Sequence, residues 1–263
     1  RRSRGNVMVD GPTPGAPLAV VATSAEVLAL PGADEGLLTA AELGRAAAFR
    51  REQDRLDFVA AHLLVRLCAA RLLGIPPRRV AFAQHCPDCD RPAHGRPLLT
   101  DRPDVHLSLS HTAGVVAAAA APSPVGVDVE RLDQARAAVV EDRVLAAAEA
   151  ALVRGRPDPG AAFLRLWVRK ESLIKIGRAG LDTLAELDLS ALPLDEPAGG
   201  TPPGGPRPVE HRPVEHRFED YRLLDWTDTR RGVLVGVASR APVRLGTAAV
   251  PLSDLPTRAG ASG

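Results

Sequence analysis

Three short runs between residues 105 and 130 constrain the fold more than any other feature of this sequence. Residues 105–110 alternate apolar and polar side chains, residues 115–120 are continuously apolar, and residues 125–130 alternate again. Gly114 and the prolines at 122 and 124 separate the runs as turns. The pattern predicts three neighbouring strands joined as a meander.

The flanking segments add helices and further strands. Residues 18–23 read as a first strand, and a capping box at Thr39 and Glu42 opens apolar helical spacing that ends at Gly74, which predicts a helical hairpin or one bent helix. The second half repeats this order, with helical spacing over 134–154 and 161–176 and strands expected near 186–189, 217–224 and 232–239.

Helices followed by antiparallel strands in each half indicate an α+β fold made of two similar, pseudo-twofold halves. We place the N-terminal half at 18–125 and the C-terminal half at 126–263. Residues 1–17 are expected to be disordered or tag-like. A Pro/Gly-rich insert at about 192–216, which contains RPVEH twice in tandem, is expected to be a mobile loop.

Composition excludes several classes of function. The formal charge is +1 and aromatic residues make up 3% of the chain, which argues against wrapping or stacking on nucleic acid. The longest apolar run, at 113–121, is far shorter than the roughly 20 residues of a membrane span. Three cysteines and no secretory signal pattern predict a reducing, cytoplasmic setting without membrane association.

Lysine is scarce in this chain. There are 31 arginines but only two lysines, Lys170 and Lys175, five positions apart on one predicted helix. Glu171 and Lys175 are spaced i and i+4 and therefore share a helix face. An ordinary surface pair is one interpretation; a role that arginine cannot fill is the other, because an ammonium can release a proton.

Asp128 and Glu130 lie two positions apart in an alternating strand, so both carboxylates leave the same face. Gly126 on that face leaves room for a close approach by another backbone or by a ligand. The pair is either a solvated acidic face or two hard oxygen ligands for a cation that needs a third partner.

Several residues suit phosphate binding. Ser110 and His111 end a strand, and they favour binding over nucleophilic catalysis because adjacent residues of an extended chain point apart. Arginine forks match phosphate oxygens. Further candidates are the rigid turn Gly95, Arg96 and Pro97, and Arg45 and Arg55 of the first helical segment.

Cys86, Cys89 and His94 have the spacing of zinc ligands, but a structural site needs four ligands and no second CxxC is present. Reduced thiols in a turn are the favoured interpretation. A zinc-ribbon module that binds nucleic acid is the alternative from a different functional class.

Four spaced motifs together resemble the surfactin-type phosphopantetheinyl transferases. They are HGRP at 94–97, LSLSHT at 107–112, VGVDVE at 125–130, and WVRKESLIK followed by GRAGL at 167–181. The bias toward arginine, alanine and proline is similar to that of a high-GC actinobacterial member of this family.

The resemblance implies a monomer of two α+β halves with the active site in the cleft between them. It implies transfer of the 4'-phosphopantetheine arm of coenzyme A to a serine of an acyl or peptidyl carrier protein, releasing adenosine 3',5'-bisphosphate, in polyketide or nonribosomal peptide metabolism. Another Mg²⁺-dependent phosphoryl or nucleotidyl transferase is the nearer alternative.

The resemblance also assigns roles to residues. It implies Mg²⁺ (or Mn²⁺) held by Asp128, Glu130 and Glu171, and catalysis by Glu171, Lys175 and Asp128. Whether Glu171 acts as general base or only as metal ligand stays open. The residues implied to bind coenzyme A are Arg45, Arg55, Gly95, Arg96, Pro97, Ser110, His111 and Lys175.

Overall fold

The computed structural model describes residues 15–86, 95–133, 141–194 and 213–246, and these form two four-stranded sheets, a two-stranded hairpin and six α-helices. The helices are α1 Ser24–Leu28, α2 Ala40–Ala47, α3 Glu52–Leu73, α4 Glu141–Val144, α5 Ala147–Arg154 and α6 Pro159–Lys175. The strands are β1 Leu18–Thr23, β2 Phe82–His85, β3 Arg96–Leu99, β4 His106–Thr112, β5 Val115–Ala121, β6 Val125–Arg131, β7 Val214–Phe218, β8 Tyr221–Asp228, β9 Val233–Ser239 and β10 Arg244–Gly246.

The first sheet has the strand order β10-β1-β5-β4. Its central strand β5 is apolar and buried along its whole length, as expected for a strand covered on both faces. The helix α3 packs against this sheet and is buried on almost all sides from Asp57 to Leu72. It ends at Gly74, whose φ of 64° is the left-handed conformation of a helix C-cap, as the sequence predicts.

The second sheet has the order β6-β9-β8-β7 and is covered by α6. Two glycines let this helix approach closely. A Cβ at Gly126 would stand 2.0 Å from the carbonyl oxygen of Ser172, and one at Gly236 would stand 2.6 Å from that of Val168. The close approach expected at Gly126 is therefore made by the backbone of α6. The α+β prediction is confirmed.

The predicted three-stranded meander is wrong in its last strand. β4 and β5 pair as predicted, but β6 pairs with β9 and opens the second sheet. The two sheets meet where β6 runs beside β4, joined by side chains rather than by a ladder: the amide of Val127 donates to Ser108 Oγ at 3.0 Å. Pro122 and Pro124 lie between β5 and β6, where neither can donate a ladder hydrogen bond.

Other local predictions also need correction. No strand forms at 186–189, where a 3₁₀ helix, Leu181–Glu186, leads into an irregular segment. The single strand expected at 217–224 is two strands, β7 and β8, which turn at Glu219 with a φ of 51°. Residues 214–216 of the insert belong to β7 and not to a loop, while its residues 195–212 lie outside the described part of the chain.

The predicted segment between Thr39 and Gly74 is two helices, α2 and α3, and α2 begins with the predicted capping box of Thr39 and Glu42. Of the helical segment expected at 134–154, α4 and α5 are seen, and residues 134–140 are outside the described ranges. In the parts of the chain that the structure describes, no helix combines the length and apolar character needed to cross a bilayer.

Candidate active site

The seam between β4, β6 and α6 gathers most of the sequence-predicted site residues. Trp167 donates from Nε1 to Glu130 Oε1 at 3.0 Å, and Lys175 donates from Nζ to Asp128 Oδ1 at 2.8 Å. Residues four apart on a helix share a face. Glu171 stands midway between these two contacts and so lies on the side of α6 that faces the strand carboxylates.

Asp128 is at the centre of the seam and is 4% exposed. Its Oδ1 accepts hydrogen bonds from Ser110 Oγ and from Lys175 Nζ, both at 2.8 Å. Its Oδ2 is buried and has no hydrogen-bond partner among the described residues. A buried carboxylate oxygen without a partner is costly, and a hard cation is the kind of ligand that would satisfy it.

The three carboxylates expected to bind a metal share this seam, but they are not gathered around one point. Within the described ranges, no group of three His, Cys, Asp or Glu side chains is arranged to hold a metal ion. Glu130 is held by the Trp167 indole, and Asp128 is held by Lys175. The donor chemistry and the orphaned oxygen of Asp128 fit a divalent cation; Glu130 and Glu171 would have to close around it.

His111 lies at the end of β4 within electrostatic range of two of the predicted phosphate ligands. His111 is exposed at the strand end, and the pKa of its imidazole is lowered by partial loss of water around the ring; the charges of Lys175 and Arg45 act in the same direction and that of Asp57 opposes them. The ring is therefore neutral near pH 7. The charges of Arg45 and Lys175 therefore lie close enough to the His111 ring to influence it.

A pocket of about 450 Å³ opens beside the seam, between β3 and the C-terminal end of α6. Arg96 and Pro97 of β3 line one side, and Val125, Lys175 and Ile176 line the other. The pocket brings Arg96 and Lys175, 79 positions apart in the sequence, to one cavity.

Arg96 reaches across that pocket to the C-terminal end of α6. Its Nη2 lies 3.5 Å from the carbonyl oxygen of Ile174, and its guanidinium covers Gly177. Gly177 has a φ of 82°, and a Cβ there would stand 2.8 Å from the arginine nitrogens. The positive φ favours glycine at this position, and a larger residue would also push the guanidinium of Arg96 aside.

Gly95 has a similar constraint. Its φ is 90°, and a Cβ would stand 2.2 Å from the carbonyl oxygen of His85 on the paired strand. The tight backbone approach fixes the start of β3, and hence the position of Arg96.

Arg55, a predicted phosphate ligand, is paired with carboxylates of neighbouring residues. Its side chain bonds to Glu35 at 3.0 Å and to Glu52 at 3.2 Å. A phosphate would have to replace these carboxylates. The hydroxyl of Ser110 already donates its hydrogen to Asp128, so it would have to break this hydrogen bond to donate to a phosphate.

Asp57 is a positioning residue that sequence reasoning missed. It is 2% exposed and accepts hydrogen bonds from Ser24 Oγ at 2.5 Å, Gln53 Nε2 at 2.7 Å and the amide of Gly114 at 3.0 Å. It therefore fixes the turn after His111. The signal in the sequence was an aspartate directly before a long apolar stretch of α3.

The other lysine has a structural role. Lys170 is fully buried and contacts Glu149 at 2.6 Å, while its Nζ donates to the carbonyl oxygens of Val144 at 2.7 Å and Leu184 at 2.8 Å. Of the two lysines of this helix, one therefore lies in the seam and the other in the core.

Two of the three candidate zinc ligands lie outside the part of the chain that the structure describes. Cys89 and His94 lie beyond the described ranges, and Cys86 is a half-buried free thiol. Cys68 is buried in the core, and burial raises the pKa of its thiol to about 12, so it is a packing residue.

Comparison with known proteins gives a family match that covers β6 and α6 of this seam. Residues 124–223 match a family model described as the 4'-phosphopantetheinyl transferase superfamily. A 4'-phosphopantetheinyl transferase of Bacillus subtilis is 26% identical over 148 residues, which cover 56% of this chain and 59% of the relative. The psf-1 4'-phosphopantetheinyl transferase of Bacillus pumilus is 28% identical over 141 residues, covering 52% and 57%.

A third relative, the ffp 4'-phosphopantetheinyl transferase of Bacillus subtilis, is 31% identical over 104 residues, covering 39% of this chain and 42% of the relative. The resemblance seen in the motifs is therefore confirmed. The chain spans less than two thirds of the length of the curated relatives it matches. Asp128, Glu130, Glu171 and Lys175 all fall inside the segment that matches the family model.

Proposed function

We propose that this chain, similar over residues 124–223 to the 4'-phosphopantetheinyl transferase superfamily, transfers the 4'-phosphopantetheine arm of coenzyme A to a serine of a carrier protein. One observation carries the proposal: a buried Asp128 with an orphaned oxygen faces Lys175 at the edge of a pocket that also contains Arg96. An acidic cation site beside a basic pocket is what a phosphate-transfer reaction requires.

In this proposal the pocket beside the seam receives the phosphates of coenzyme A. Arg96 and Lys175 line it. His111, whose ring is within electrostatic range of Lys175 and Arg45, would contact the phosphate oxygens together with Arg45. His111, being neutral, contributes a hydrogen bond without adding charge. Arg55 would join only after leaving Glu35 and Glu52.

Asp128, Glu130 and Glu171 would hold the divalent cation, Mg²⁺ or Mn²⁺. When bound, it offsets the negative charge of the pyrophosphate and makes its phosphorus more electrophilic.

The chemical step exchanges one phosphorus–oxygen bond for another. The serine oxygen of the carrier protein attacks the phosphorus that bears the pantetheine, and the bond from that phosphorus to the bridging oxygen breaks. Adenosine 3',5'-bisphosphate leaves with the electron pair. Glu171, on the face of α6 between Trp167 and Lys175, accepts the serine proton, and Lys175 stabilises the charge on the leaving phosphate.

The acceptor in this proposal is an acyl or peptidyl carrier protein of polyketide or nonribosomal peptide synthesis, and the enzyme acts in the cytoplasm as a monomer. The matched relatives support the reaction class through their names alone.

Mass spectrometry of apo carrier proteins tests the function. The full chain is incubated with coenzyme A, MgCl₂ and a panel of apo acyl and peptidyl carrier proteins. A mass gain of one phosphopantetheine on the acceptor serine is expected, and it is lost with EDTA. No gain on any carrier, with a known transferase as positive control, overturns the proposal.

Thermal denaturation distinguishes the proposed function from the nearer alternative, another Mg²⁺-dependent phosphoryl or nucleotidyl transferase. With MgCl₂ present, coenzyme A is expected to raise the melting temperature, because a ligand that binds only the folded state stabilises it. ATP at the same concentration is the matched comparison. Stabilisation by ATP and not by coenzyme A would favour a nucleotidyl or phosphoryl transferase instead.

A further inference from the structure

Lys175 contacts both parts of the proposed site. Its Nζ bonds to Asp128 Oδ1 and to the carbonyl oxygen of Val127, each at 2.8 Å, and the same side chain lines the pocket that holds Arg96. The side chain is 23% exposed, and part of it lines the pocket. The ammonium therefore lies between an acidic cation site and a basic anion site.

We infer that Lys175 is the resident cation of this site, which holds Asp128 until an anion in the pocket draws it away and a divalent cation takes its place. The inference rests on the proposed function, because it assumes that coenzyme A occupies the pocket. Its new content is that cation and coenzyme A bind cooperatively through Lys175.

Charge balance is the physical reason. With only Lys175 present, the buried Asp128 is already neutralised. A divalent cation arriving on the orphaned Oδ2 places two cations on one carboxylate within a few ångströms, and in a partly buried site they repel each other strongly. Phosphate oxygens in the pocket give the ammonium a new partner, which removes the repulsion.

The choice of residue agrees with this role. A lysine is a compact charge on a flexible stem, whereas arginine is a rigid fork suited to fixed bidentate pairing. In a chain with 31 arginines, the basic residue that contacts both Asp128 and the pocket is one of only two lysines.

Linkage makes the inference quantitative. If coenzyme A tightens cation binding by some factor, the cation tightens coenzyme A binding by the same factor. Such couplings typically amount to about 5- to 150-fold. Removing the Lys175 charge is expected to raise cation affinity in the absence of coenzyme A and to reduce the coupling toward onefold.

Trp167 provides a readout that is independent of activity. Its indole donates to Glu130, so a cation that engages this carboxylate changes the environment of the ring. The second tryptophan, Trp226 on β8, is removed as Trp226→Phe, which leaves Trp167 as the reporter. MgCl₂ and MnCl₂ are titrated at constant ionic strength, with and without coenzyme A, and binding of the cation by coenzyme A itself is taken into account.

Three variants in that background define the test. Lys175→Met removes the charge at Asp128, and it is expected to bind Mg²⁺ at least about 5-fold more tightly than the parent without coenzyme A and to lose most of the coupling. Lys175→Arg keeps the charge and is expected to keep weak binding. Arg178→Met removes a positive charge that pairs with Glu219 near the end of α6, and it is expected to behave as the parent.

The outcomes are distinct. The inference is overturned if Lys175→Met binds Mg²⁺ no more tightly than the parent and the coupling with coenzyme A is retained. Melting temperatures in MgCl₂ check the order of Mg²⁺ affinity among the variants by a second method. Absence of cation binding in every variant, with and without coenzyme A, overturns both the inference and the cation-dependent function. Coupling without transfer to any carrier protein supports the inference and overturns the proposed function.

Discussion

Burial gives the two lysines of α6 different roles, although they are only five positions apart. Lys170 is fully buried, and its ammonium is bonded to Glu149 and to two backbone carbonyls. Lys175 is part-exposed and is bonded to Asp128 at the edge of a pocket. The same side chain type therefore serves as a structural link in one place and as a charge at the edge of a pocket in the other.

Lys170→Met is expected to destabilise the protein by about 3–5 kcal/mol, because it leaves the Glu149 carboxylate buried without its cation. Urea denaturation followed by circular dichroism measures this change. The double variant Lys170→Met/Glu149→Gln, which removes both charges, should recover part of the loss. The prediction is contradicted if the free energy of unfolding of Lys170→Met lies within about 1 kcal/mol of that of the parent.

Glu171→Gln is expected to reduce transfer to carrier protein by about 10²-fold or more, because a neutral amide cannot accept the serine proton. The melting temperature should change little, since the amide has nearly the same shape. Glu186→Gln, at an exposed carboxylate of the 3₁₀ helix after α6, is the matched control and should keep full activity. Near-normal transfer by Glu171→Gln removes this residue from the mechanism.

At the scale of elements, the contact between α6 and the second sheet positions the seam. Gly126 and Gly236 bring the helix backbone against β6 and β9. That approach places Trp167 against Glu130 and Lys175 against Asp128. A helix held farther out would break both contacts.

Gly126→Ala is therefore expected to cost about 1–3 kcal/mol of stability by overpacking, because the new Cβ meets the carbonyl of Ser172 at 2.0 Å. Trp167 fluorescence should shift as the bond to Glu130 weakens. Gly44→Ala on α2 is the control: a Cβ there would meet none of the described atoms within 4 Å, so the helix should gain about 0.5–1 kcal/mol. Equal effects at the two glycines would contradict the close-packing argument.

At the scale of the whole molecule, buried histidine links stability to pH. His62 is 2% exposed on α3, and its pKa is lowered chiefly by burial, with the charge of Arg66 acting in the same direction and that of Glu42 opposing. A histidine with a lowered folded pKa binds its proton more readily when the chain is unfolded. Its contribution to stability is complete above its ordinary pKa of 6.5 and is lost as the pH falls below that value.

The free energy of unfolding is therefore expected to fall between pH 7 and pH 5, with a slope of up to about 1.4 kcal/mol per pH unit from His62. Urea denaturation at a series of pH values measures the slope. His62→Gln, which does not titrate, should have a flatter profile. A parent protein whose stability is constant over this range contradicts the prediction.

Local patterns in the sequence determined much of this protein. Alternation and apolar runs located β1, β4, β5, β6 and β9 to within one or two residues, because burial on a strand depends on spacing along the chain. Helix signals such as the capping box at Thr39 and the glycine at 74 located α2 and α3. The spacing of Asp128 with Glu130, and of Glu171 with Lys175, also fixed which side chains share a face.

Only the tertiary structure decided which faces meet. Periodicity says that β6 has an acidic face, but it does not say that the strand leaves β5 to pair with β9. It does not show that Arg96 crosses to Ile174 and Gly177, or that Trp167 and Lys175 hold the two strand carboxylates. Those contacts join residues tens of positions apart, and they follow from packing two sheets and a helix together, which no local spacing encodes.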